Sequence, residues 1–236
     1  MPRSLSIQHI RMAAVVFFAG ASLGANATEN DSGIWTIFTA TNAFQADDGP
    51  SRWHYWLDAQ ARYTDLSSGA NQYLIRPGLG YSLDTGLSVW AGYARFRTRN
   101  RSGAVVNENR YWQQLSWTAG RWHNGTITMR ARLLQRSVSA GDDLGLVLRL
   151  QTKYVRPIGD NDTRTLILSL EPFFDLQDTD WGGKSRLRQN RAFIGVGWRL
   201  SDNLSIETGY LNQYLWRDNA EDRIVHLGTV NFKVRL

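Results

Sequence analysis

The chain has 236 residues, no cysteine and a formal net charge of +6. That length suffices for one substantial domain, and the lack of cysteine excludes a disulfide framework and any thiolate metal site. The positive balance would suit nucleic acid, an anionic membrane surface or a basic pore interior, so the placement of the charges has to decide.

Residues 1–27 read as a secretory signal. Arg3 and Arg11 are basic, an apolar run extends from Met12 to Gly24, and Ala25-Asn26-Ala27 forms a small-residue cleavage site. The run is shorter than the roughly 20 residues a spanning helix needs. The mature chain, 28–236, contains no longer apolar run, so residence in a membrane would require a closed barrel.

From there on the dominant pattern is period-2 alternation, in segments of about a dozen residues. Trp53–Tyr63 is the clearest. Trp53, Tyr55, Leu57, Ala59, Ala61 and Tyr63 share one face, and His54, Trp56, Asp58, Gln60 and Arg62 share the other. The signature returns around Tyr73–Tyr81, Leu87–Ala94, Arg110–Ala119, Ile127–Arg136, Leu146–Tyr154, Thr165–Asp175, Gln189–Arg199, Leu204–Gln213 and Val230–Leu236. Soluble sandwiches also alternate, but their strands usually run to about 5–6 residues. The long segments, and aromatics near the ends of the apolar faces, favour an all-β, antiparallel transmembrane barrel. A soluble periplasmic β-protein is the alternative.

Ile34–Phe44 alternates poorly. Including it gives eleven segments, whereas bacterial single-chain barrels have an even number of strands. The sequence therefore predicts 10–12 strands: twelve if two segments are merged, ten if Ile34–Phe44 is not a wall strand. Short breaks at Asp84-Thr85-Gly86, His123-Asn124-Gly125, Gly159-Asp160-Asn161 and Ser201-Asp202-Asn203 alternate with longer ones at Thr98–Asn107, Val138–Asp143, Gln177–Arg186 and Arg217–Asp222. With the C-terminus on the periplasmic side, every short break falls on that side too, as in outer-membrane barrels.

Several of these segments resemble a known family. Arg76-Pro77-Gly78-Leu79-Gly80-Tyr81, followed by Leu87-Ser88-Val89-Trp90-Ala91-Gly92-Tyr93, is similar to the core of the DUF2490 proteins. So are Glu108-Asn109-Arg110-Tyr111-Trp112-Gln113-Gln114, the Arg130/Arg132 strand, Gln189-Asn190-Arg191 and Gly209-Tyr210-Leu211-Asn212-Gln213. The resemblance implies an outer-membrane barrel of unassigned function in a Gram-negative bacterium. It adds no chemistry.

The wet face carries the candidate functional residues. Arg62, Arg76, Arg110, Arg130, Arg132, Arg149 and Arg191, with Lys153 and Lys233, outnumber Asp58, Glu108, Glu171, Asp175 and Glu207, and Gln114 lies among them. An arginine at the lipid midplane costs about 2–4 kcal/mol, so these side chains are expected in the lumen. Two readings follow: a narrow passive channel favouring anions, or an ion-pair lattice that plugs a structural barrel. Trp90, Trp112 and Phe193 are expected to point inward with them. The partners expected are outer-membrane lipid and lipopolysaccharide, the barrel-assembly machinery, and a small anionic solute.

No catalytic, cofactor or metal residue is assigned. A rim-located, lipid-acting hydrolase would need a serine within hydrogen-bond reach of His54 or His226. The basic residues form no patch or arm, which argues against nucleic acid.

Overall fold

The computed structural model describes residues 28–236, except 48, 65–70, 85, 160–162 and 219. Residues 1–27, where a signal was expected, lie outside the described residues. Eleven strands form one sheet: β1 (Thr28–Ala46), β2 (Gly49–Thr64), β3 (Asn71–Asp84), β4 (Leu87–Arg99), β5 (Val105–Trp122), β6 (Gly125–Val138), β7 (Leu144–Pro157), β8 (Arg164–Asp175), β9 (Arg186–Arg199), β10 (Leu204–Leu215) and β11 (Asp222–Val234). Each strand pairs with its sequence neighbour, and β1 pairs with β11 to close the barrel.

The count is eleven, within the 10–12 expected, although neither ten nor twelve, the two ways the even-strand rule allowed, is what forms. Ile34–Phe44 is a wall strand after all, in the middle of the long β1. Its pattern is weak because both faces carry apolar groups: Ile34 and Phe38 face out, while Trp35 and Ile37 line the interior. The odd count has a topological consequence. Ten successive reversals bring β11 back to the direction of β1, so the closing pair must be parallel. It is, from Thr28↔Asp222 to Ala40↔Val234. The expectation of a wholly antiparallel barrel fails at this one seam. Closure leaves no open edge, whose unpaired backbone groups would be costly in lipid.

Connections at one end occupy 47–48, 85–86, 123–124, 158–163 and 200–203. Those at the other occupy 65–70, 100–104, 139–143, 176–185 and 216–221. The alternation expected from the sequence holds for all but 158–163, which is as long as several loops opposite. The 123–124 turn shows why the short ones are tight. His123 and Asn124 both have positive φ, 43° and 60°, the backbone of a type I′ hairpin whose twist matches its strands.

The exterior is oily. Ile34, Leu57, Ile75, Leu79, Leu115, Leu150, Leu168, Ile194 and Phe232 all stand exposed. Tyrosine pairs flank this belt toward the long-loop end, with Tyr63 against Tyr73 and Tyr93 against Tyr111. Trp53 against Tyr81 and Trp122 against Tyr154 flank it toward the short-turn end. Tyr73 and Tyr81 lie eight residues apart on one face of β3. At ~3.4 Å per residue and a tilt of ~40°, that is about 21 Å of axial height, close to the ~25 Å apolar band of outer-membrane barrels.

Candidate functional site: a basic lumen

Alternation sends Arg62, Arg76, Glu108, Arg110, Gln114, Arg130, Arg132, Arg149, Glu171, Arg191 and Glu207 to the inside of the barrel. They fall into three groups.

The first surrounds a cavity of 310 Å³ lined by Arg62, Arg76, Arg130, Arg149, Lys153, Arg191 and Lys233, facing Asp58, Glu171 and Glu207. Each carboxylate is already engaged. Asp58 accepts from Arg76 Nη2 at 2.7 Å and from Gln60 Nε2 at 2.8 Å. Glu171 accepts from Arg130 Nη2 at 2.5 Å and from Arg149 Nη2 at 2.8 Å. Glu207 accepts from Lys233 Nζ at 2.8 Å and from Lys153 Nζ at 3.5 Å. Among the described residues, neither Arg62 nor Arg191 pairs with a carboxylate. Arg62 donates to the Gln60 and Gln72 carbonyls, at 2.8 Å each, and stacks 4.2 Å from the Trp35 ring. Arg191 lies between Trp35 and Phe173, at 4.8 and 4.7 Å from the ring centres. Gln189 serves it when the carboxamide oxygen is turned toward the guanidinium. Rings hold these cations by their quadrupole without neutralising them.

The second group is a packed layer in the interior. Trp112, Leu134, Val147 and Phe173 form a buried cluster, with Trp56 and Trp90 packed against it. Arg132 is fully buried within the same layer. Its Nε donates to Gln114 Oε1 at 2.8 Å, and its guanidinium lies 4.5 Å from the Trp112 ring and 4.9 Å from that of Trp56. The sequence prepares a floor for these indoles. A Cβ at Gly78 or Gly92 would come within 2.5 Å of the Trp112 ring, and one at Gly80 within 2.4 Å of Trp90. Phe193 lies likewise over Gly195 and Gly209. The glycines of the Arg-Pro-Gly-Leu-Gly-Tyr and Trp-Ala-Gly-Tyr segments are there so that large rings can lie against the wall.

The third group sits toward the long loops. Glu108 accepts from Arg110 Nε at 2.7 Å and also from Arg136. Arg110 lies 3.7 Å from the Phe96 ring, and Arg136 lies 4.9 Å from the ring of Trp181 in the 176–185 loop. The mouth above is tied across. Asp180 accepts the backbone N–H of Asp142 at 2.8 Å and of Asp143 at 3.2 Å. These bonds, led by the one from Asp142, hold its carboxyl below the usual carboxylate range. Arg101 reaches Asp31 at 2.6 Å and also Glu29, and Arg217 reaches Glu29 at 2.6 Å.

Arg136, Gln60 and Gln189, which alternation put on the polar faces without singling them out, belong to the lattice. His54 Nε2 lies 2.7 Å from Ser82 Oγ across the β2–β3 pair, a contact set by the Trp53↔Tyr81 register. His226, by contrast, meets the Tyr210 hydroxyl at 2.6 Å on the outer face. Among the described residues, no group of three or more His, Asp or Glu could hold a metal ion.

Comparison with known proteins places this barrel. Residues 32–224 match the family described as "Protein of unknown function (DUF2490)". The chain belongs to that family, as the Arg-Pro-Gly and Trp-Ala-Gly-Tyr segments led one to expect. It is similar to an uncharacterised protein of Methylorubrum extorquens, 30% identical over 182 residues that cover 77% of this chain and 80% of the relative. Among solved structures it is similar to a NanC porin at 12% identity and a TM-score of 0.47, over 80% of this chain and 88% of that one.

Proposed function

We propose that the protein is a bacterial outer-membrane barrel whose interior is a closed, basic pocket that takes up small anions, rather than an open pore. The observation that carries this reading is the middle layer. Trp112 and Arg132 are fully buried there, and seven cationic side chains face three committed carboxylates around the cavity beside it. An isolated barrel of this size would leave water along its axis. The buried aromatic rings and guanidinium groups of the middle layer, with loops tied over one mouth, support a filled axis here. Membrane residence is supported by edge-free closure and by the apolar belt between two aromatic girdles. Among the described residues neither Arg76 Nε nor Arg130 Nε has a hydrogen-bond partner, so these two cavity-lining arginines keep unused donor capacity.

The test uses the tryptophans already at the site, since Trp35 and Trp56 line the cavity. Titrating the refolded barrel with inorganic phosphate or sulfate should change tryptophan emission saturably, and Arg62→Gln with Arg191→Gln should abolish the response. An unchanged spectrum over the whole titration would refute an anion pocket.

The His54–Ser82 contact favours a second reading, a hydrolase, because serine and base are in reach. It is placed differently from a rim enzyme: the pair faces the lumen near the short turns, and no described carboxylate bonds the histidine. Ester hydrolysis that disappears in Ser82→Ala would establish this reading, and equal rates in both proteins would end it.

A further inference from the structure

The outer half of β4 breaks the exterior pattern. Val89, Ala91 and Tyr93 face outward, as an apolar belt requires, but the same face continues as Arg95, Arg97 and Arg99, all exposed. The pairing fixes their height. Arg97 stands opposite the girdle residue Tyr73, and Arg95 opposite Ile75. On the other side they meet Asn107 and Asn109 of β5. Arg95 Nη1 donates to Asn109 Oδ1 at 2.7 Å, and the Tyr93 hydroxyl donates to the same oxygen at 2.6 Å. That carboxamide orients Arg95 without cancelling its charge. No ion pair joins any of the three to a described carboxylate, and the described outward-facing residues of β3, β4 and β5 include no acid.

Resting on the membrane reading above, we propose that this arginine ladder seats the phosphate groups of an anionic lipid in the outer leaflet. A guanidinium facing lipid is costly at the midplane and cheap at the interface, and the tyrosine girdle puts these residues at the interface. Alternate residues of a strand are about 7 Å apart on one face, so successive forks can hold neighbouring phosphate groups. Arginine suits the task because its planar fork grips a phosphate with two parallel hydrogen bonds. Asn107, Asn109 and Gln113 on β5, with Gln135 on β6, extend a polar strip beside the ladder for the sugar or glycerol part of a headgroup. Gln135 Nε2 already donates to Gln113 Oε1 at 2.9 Å.

The experiment is lipid retention by the refolded full mature barrel. Insertion is first checked by flotation with phosphatidylcholine vesicles. Retention of a bis-phosphorylated glycolipid from mixed micelles is then measured by native mass spectrometry. Arg97→Gln with Arg99→Gln should lower the apparent affinity roughly 10- to 30-fold. Arg156→Gln with Arg164→Gln removes the same charge from the opposite end and should leave it unchanged. Equal retention by both double variants would overturn the ladder while leaving the membrane reading intact. Failure of the wild-type barrel to float would overturn both. Displacement of the glycolipid by millimolar inorganic phosphate would overturn a lipid seat in favour of a soluble anion.

Discussion

Arginine is treated in opposite ways inside and outside this barrel. In the lumen, every guanidinium has been given something by the chain: Glu171 for Arg130 and Arg149, a carboxamide for Arg132, aromatic faces for Arg62 and Arg191. On the outer half of β4, Arg95, Arg97 and Arg99 receive one carboxamide between them. The difference follows from desolvation. A charge enclosed among side chains must be compensated by the protein itself, because removing its partner strands it. A charge at the membrane interface can be compensated by what surrounds the protein.

The sharpest way to break this comparison is at Glu171, which is buried and shared by two arginines. Glu171→Gln should cost roughly 3–5 kcal/mol of stability by stranding Arg130 and Arg149, read as a lower urea midpoint in heat-modifiable migration. A loss below 1 kcal/mol would mean that solvent already serves those arginines. Gly78→Val should come next, at about 1–3 kcal/mol, because its side chain would strike the Trp112 ring. The partner change Trp112→Ala should recover much of that loss when combined with it, as a double-mutant cycle would show. The mouth should respond only to strong acid. The Asp180 pKa is depressed below its ordinary 3.8 by backbone donors. Its contribution is therefore complete above the unfolded value and fades as the pH falls through the lower folded value. Hydrogen exchange of the Asp142 and Asp143 amides should be flat from neutral pH to about pH 4, after allowing for intrinsic exchange, and should accelerate beyond that. Asp180→Asn should weaken protection at all pH values. The smallest effect belongs to the shell: Arg97→Gln in detergent should alter stability by no more than about 0.5 kcal/mol.

Most of the wall was legible in the sequence because a strand with one oily and one wet face has to alternate. Trp53–Tyr63 shows this at its clearest, and the register of β2 follows from it. β1 was obscure because Trp35 and Ile37 fill the lumen just as Ile34 and Phe38 cover the outside, so neither face reads as polar. The even-strand rule then pulled the count toward twelve, although the eleven countable segments were correct. The parallel seam went unread for the same reason: eleven strands in up-and-down order must close in parallel, and the even-strand rule set that count aside. The lumenal arginines could be named from alternation alone, but their division into pocket, closing layer and mouth could not. That division depends on which strands face one another across the barrel. His54 and Ser82 met through β2–β3 register, which sequence spacing does not display. Arg95, Arg97 and Arg99 were legible in principle: they continue the face of Val89, Ala91 and Tyr93, and a segment ended at Ala94 leaves them out.

The central claim is that side chains close the lumen around Trp112 and Arg132. Its most direct test is the conductance of the refolded mature barrel in a planar bilayer under a salt gradient. The account predicts a folded, inserted protein that is electrically silent. A steady conductance from the wild-type barrel, whichever ion it favours, would contradict it.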